Sequence, residues 1–115
     1  RYSEMVVQLH QWAESKGVYL GFAVPLYYDT KILKILNDNS DEVVVMAYET
    51  SGIEAIRRRS EEELTMLGDK ATIALSAKDY TLRQNMERDI QAIDPWLKSK
   101  RYAIHDFDSY LLLNP

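Results

Sequence analysis

The 115-residue chain contains no cysteine, which excludes disulfide bonds and thiolate metal sites and leaves the compartment open. No apolar run approaches the about 20 residues that a membrane-spanning helix needs, and no signal-peptide pattern is visible. Basic residues are outnumbered, 14 Lys and Arg against 18 Asp and Glu, for a net charge of −4. Nonspecific nucleic-acid binding therefore has no electrostatic support. A Gly-rich phosphate loop, a Gly-x-Ser-x-Gly elbow and a His-Glu-x-x-His pair are all missing. No cofactor and no metal site is implied.

What is present is ordinary for a folded domain, with 46% apolar and 28% charged residues. The length fits one small domain with a real core but is too short for a complete eight-fold β/α barrel. The chain opens on Arg1 inside a helical pattern, as expected of a mature or excised piece of something longer.

The most informative stretch is Asp41 to Ser51. Its four consecutive apolar residues, Val43 to Met46, read as a strand buried on both faces, as in a parallel sheet covered by helices. The strand gives way to Tyr48, Glu49, Thr50 and Ser51, polar residues where α/β proteins place their chemistry. The pattern recurs. Met5, Val6, Leu9, Trp12 and Ala13 fall at helical spacing over Ser3–Ser15, with Gly17 as the stop. Val18–Val24 reads as a strand ended by Pro25, and Thr30 starts a helix that ends in Asn37–Ser40. Gly52–Arg59 reads as a loop or a short helix, and Ser60–Glu63 as a capping box opening a short helix that stops at Gly68. Ala71–Ala77 is a third strand, and Thr81–Gln84 a second capping box opening a helix to about Ile93. Asp94-Pro95 is expected to restart that helix. A short strand over Tyr102–His105 and an apolar tail, Leu111–Leu113, complete the chain.

Helix and strand alternate four times, which predicts a parallel sheet built by right-handed crossovers. No linker divides the chain, so residues 1–115 form one α/β domain, or half of one. Side by side, the strand ends bring Tyr27, Tyr28 and Asp29, then Tyr48 and Glu49, then Lys78 and Asp79, then His105, Asp106 and Asp108 to one rim. Aromatics beside carboxylates suit a sugar, because rings stack on pyranose faces and acids accept hydroxyl hydrogen bonds or carry protons. Glu49 and Asp106 are the candidate general acid/base pair. Either can instead cap a following helix. His105 is a candidate proton carrier, although a histidine at a strand end is commonly a packed residue. With Asp106 and Asp108 it also forms a weak metal-like cluster that lacks a second histidine nearby. Arg57, Arg58 and Arg59 precede Glu61, Glu62 and Glu63, which predicts a solvated, self-compensating surface. Trp12 and Trp96 sit on helical faces, as core or subunit contacts.

Val45-Met46-Ala47-Tyr48-Glu49 resembles the strand ending in Met-x-Tyr-Asp/Glu of chitinase-like and related glycoside-hydrolase-type β/α barrels. Phe22 to Asp29 is similar to the preceding strand of such barrels. Tyr102 to Tyr110 is similar to the closing strand of bacterial relatives. The resemblance covers nearly the whole chain and implies a parallel (β/α)4 half of a TIM barrel, its last four strands. A small open flavodoxin-like parallel sheet is the alternative. It implies a carbohydrate ligand, with Glu49 and Asp106 catalytic and Tyr28, Asp29, Tyr48, Lys78, His105 and Asp108 contacting substrate. It also implies a partner, either the missing barrel half or a second copy, and favours an extracytoplasmic location. Two departures matter. The principal acid of chitinase-like enzymes lies on the fourth strand, outside this half, and Ala77-Lys78 stands where the bacterial group commonly has a glutamate. An inactive ligand-binding or sensor module, or a purely structural half-barrel, is therefore the competing reading.

Overall fold

The computed structural model describes residues 2–25, 28–47, 61–105 and 107–113. The elements alternate as α1 (Tyr2–Lys16), β1 (Gly21–Pro25), α2 (Thr30–Asp38), β2 (Glu42–Ala47), α3 (61–67), β3 (Ala71–Ser76), α4 (Arg83–Ile93), β4 (Tyr102–His105) and α5 (Phe107–Leu111). The four strands form one open, all-parallel sheet in the order β1-β2-β3-β4. That order is sequential, whereas a flavodoxin-like sheet places its first strand between the second and third.

The register explains where the core lies. Val24 pairs with Val45, Val45 with Ile73, and Ile73 with Tyr102. In parallel strands such partners share a face. On that face Val43, Val45, Ala47, Ala71, Ile73 and Leu75 are buried and form one cluster with helical Val6, Leu33, Leu36, Leu64, Met86 and Ile93. The other face carries Ala23, Val44, Met46, Thr72, Ala74 and Ala103, and none of these belongs to that cluster. Right-handed crossovers that always step to the next strand put every helix on one side. The core is one-sided.

Local sequence accounts for most element boundaries. Gly17 (φ +66°) and Gly68 (φ +61°) adopt the left-handed conformation that ends a helix without steric cost. Asp29 caps α2, its Oδ1 accepting from the backbone N–H of Lys31 at 2.8 Å and of Ile32 at 3.3 Å. Among the described residues no helix is long and apolar enough to cross a membrane.

Several expectations are corrected. β1 is shorter than Val18–Val24. Asp41 Oδ2 takes the Leu20 N–H at 2.8 Å in place of a ladder bond, and Val18 and Tyr19 remain exposed. β2 is not buried on both faces, since Glu42, Val44 and Met46 are only half-covered. β3 is the strand covered on both, all six of its residues being buried. The box at Thr81 does not form. Backbone extension continues through Leu82, so α4 starts at Arg83 with no side-chain cap. The Asp94 side chain caps no helix start either. The chain makes one 3-10 turn over Asp94–Trp96, and the carboxylate accepts from the Tyr102 hydroxyl at 2.5 Å and from Lys100 Nζ at 2.9 Å. Glu63 is fully buried, while Glu61 and Glu62 are exposed. The residues expected as a loop, Gly52–Arg59, lie outside the described residues. The apolar tail Leu111–Leu113 is preceded by a helix, α5 (Phe107–Leu111), that the sequence pattern does not signal. Trp96 packs partly buried against the core, whereas Trp12 is half exposed.

The one-sided core predicts unequal costs for similar truncations. Ile73→Ala should cost about 2–5 kcal/mol in denaturant unfolding, and Val44→Ala on the opposite face about 1 kcal/mol. Equal losses would contradict the assignment of the core to one face.

Candidate functional site

Parallel pairing sends all four strand ends, Pro25, Ala47, Ser76 and His105, to one edge of the sheet. The residues that follow them form the rim where open parallel sheets bind ligands. Tyr28 is half-buried and packs against the core. Burial, and then a hydrogen bond to Tyr28, raise the pKa of Tyr2. Asp29 sits beside Tyr28 with its Oδ1 committed to the α2 cap. Tyr48, Glu49 and Asp106 lie outside the described residues. Lys78 is exposed in the 3-10 turn that leaves β3. His105 ends β4, pairs in register with Ser76 and is exposed, as is Asp108 in the first turn of α5. Among the described residues no group of three or more His, Asp or Glu could hold a metal ion.

α5 folds back against the turn that leaves β3. Between them lies an open cleft of about 390 Å³, lined by Lys78, Tyr80, Thr81, Ser109, Leu112 and Leu113. Of the residues singled out in the sequence for ligand contact, Lys78 lines this cleft; Tyr28, Asp29, His105 and Asp108 do not. No sequence signal marks Tyr80, Thr81, Ser109 and the two leucines as lining residues, because the helical return of α5 is set by tertiary packing. Tyr80 has a structural duty as well. Its hydroxyl donates to Asp89 Oδ2 at 2.7 Å, and burial, reinforced by that bond, pushes its pKa up, so it stays a protonated donor. Next to the cleft the Arg83 guanidinium stacks over the Tyr110 ring, 4.9 Å from its centroid, a cation–π contact.

The amino ends of the strands are closed differently. Thr72 Oγ1 donates to Glu42, and Arg101 Nε donates to Thr72 Oγ1 at 3.1 Å while lying 3.8 Å from Glu42 Oε2. Arg101 Nη2 also donates to the Asp69 carbonyl at 2.7 Å. This chain ties β2, β3 and the approach to β4 together. A second cleft of about 340 Å³, between the end of α1 and the start of β2, is lined by His10, Glu14, Val18, Tyr19 and Asp41. Tyr102 anchors the start of β4 on Asp94. Burial and that bond raise the Tyr102 pKa, while the Tyr102 and Lys100 hydrogen bonds lower that of Asp94. Comparison with protein-family models, curated proteins and solved structures finds no match to the chain.

The position of Asp29 makes its structural share measurable. Asp29→Ala should lower stability by about 0.5–2 kcal/mol, and Asp29→Ser, which can still cap, should recover most of it. Equal losses in thermal or denaturant unfolding would mean that the carboxylate acts other than as a cap.

Proposed function

We propose that the chain is a (β/α)4 half of a glycoside-hydrolase-like barrel that binds carbohydrate at its carboxyl rim. The observation that carries the reading is the sequential parallel sheet with its core on one side only. A barrel has that layout, with helices outside and a second face turned to the lumen. The second face here carries Ala23, Val44, Met46, Ala74 and Ala103, apolar side chains of the kind that fill a barrel interior. Four strands leave two open edges. α1, which leads into edge strand β1, exposes Met5 and Trp12 (55% and 52%), and α5, which follows edge strand β4, exposes Leu111 (57%). Both patches suit a covering partner, the other barrel half or a second copy.

The rim offers what a sugar needs. Tyr28 supplies an aromatic surface, Asp108 and His105 are exposed for hydroxyl contacts, and the cleft at Lys78 supplies depth. Glu49 is the acid/base or substrate-orienting carboxylate, Tyr48 hydrogen-bonds substrate, and Asp106 pairs with His105 or a sugar hydroxyl. A lysine where related barrels carry a glutamate favours a second reading, binding without turnover.

Calorimetric titration with oligosaccharides tests the proposal. Binding is expected, and Asp108→Ala should weaken it about tenfold. If the bound sugar is also cleaved, Glu49→Gln should abolish cleavage and keep binding. Unchanged cleavage would remove Glu49 from its role, and binding without cleavage in the unaltered protein would assign the second reading.

A further inference from the structure

We propose that a second copy of this chain closes the sheet, its β1 joining β4 and its β4 joining β1, so that the two share one carboxyl rim. This rests on the half-barrel reading above and names the partner.

The placement of exposed apolar side chains carries the inference. Among the described residues ten large hydrophobics are exposed, seven before β1 and three in or after β4. α2, β2, α3, β3 and α4 contribute none of them. Apolar surface of this kind marks interaction sites, and here it flanks the two edge strands alone. On α1 it also has a direction. Tyr2, Met5, Leu9 and Trp12 recur at helical spacing and form a stripe next to buried Val6 and Ala13. The buried side belongs to this chain's own core, where Val6 joins the cluster and α1 meets α2. The stripe continues that face outward, past the β1 edge, where a further strand and its helix would lie.

The edges themselves select a second copy. The sheet is parallel and sequential, so the strand that continues it beyond β4 must have the direction of β1 and a helix before it. β1 of a second copy, led in by its own α1, has both. The outer edges of β1 and β4 present backbone N–H and C=O groups that no strand of this sheet pairs. Ala103, Ile104 and His105 of β4 are exposed, and α5 turns back onto the 3-10 turn after β3, which leaves the flank of β4 to the partner's α1. Joining β4 to β1 in both directions uses every edge once, and a single two-fold axis closes the assembly. Four strands from each copy make the eight of a filled parallel barrel.

Sedimentation equilibrium tests the pairing. With rising concentration the protein should approach twice its 13.4 kDa chain mass. Trp12→Glu, at an exposed helical position, should keep the fold by circular dichroism and weaken association at least about thirtyfold. Glu87→Ala, exposed on α4 away from both edges, should leave association unchanged. A second measurement locates the contact. Gln8→Cys, the one cysteine the chain would then hold, carries a nitroxide and is mixed with isotope-labelled, unaltered protein. The nitroxide should broaden the amides of Tyr102–His105 in the other copy. A single-chain mass at every concentration, an open series of larger species, association indifferent to Trp12→Glu, or broadening confined to α1 would each overturn the inference. Oligosaccharide titration of the same samples judges the carbohydrate reading separately. A single chain that binds sugar keeps that reading without the second copy, and a dimer that binds none keeps the second copy without the sugar.

Discussion

The parallel register between β2 and β3 is the constraint on which the rest depends. It sets Val43 against Ala71, Val45 against Ile73 and Ala47 against Leu75, so that six buried apolar side chains line up on one face. Every helix that contributes to the core packs onto that row. Burying the valine, isoleucine and leucine side chains among them contributes roughly 1.5–3 kcal/mol each, and a one-residue slip would turn the whole set to the wrong side of the sheet. Register, helix placement and the layout of the rim are therefore fixed together.

The two ends of the sheet follow from the same pairing and differ in character. At the amino ends Glu42, Thr72 and Arg101 satisfy one another across neighbouring strands. Polar groups tied up in this way hold strands in place and leave little to offer a ligand. At the carboxyl ends the chain turns outward, and Lys78, His105 and Asp108 reach solvent. Only there do α5 and the turn leaving β3 enclose a volume that combines a cation, hydroxyls and an apolar wall. The side-chain bonds between strands lie at one end, and the proposed recognition surface lies at the other.

Much of the fold is legible in the residues because apolar runs and glycine stops are local signals. The start of α2 at Thr30 and the span Tyr102–His105 of β4 can be read directly. Coverage of a strand is not local. Val43–Met46 is the more apolar run, yet β3, with Thr72 and Ser76, is the strand buried on both faces. What tertiary packing lays over a strand decides its coverage, and no count of the strand's own residues reveals that. Capping is equally contextual. Thr81 has the right chemistry, but Leu82 stays extended, so the box is one residue out of phase with α4. Asp94 has the right chemistry too, and Tyr102 and Lys100 claim it first. At the site, the common rim of Tyr28, Asp29, Lys78, His105 and Asp108 follows from parallel strands alone. The cleft does not, because it depends on a five-residue helix whose return is set by tertiary packing.

Amide chemical-shift mapping during an oligosaccharide titration tests the central claim, that ligand binds at the carboxyl ends of this one-sided sheet. The account predicts shifts at Lys78, Thr81 and Ser109, extending to Tyr28 and His105, with Val18, Tyr19 and Asp41 at the opposite cleft unmoved. Shifts confined to the His10–Asp41 cleft, or no shifts with any oligosaccharide, would contradict it.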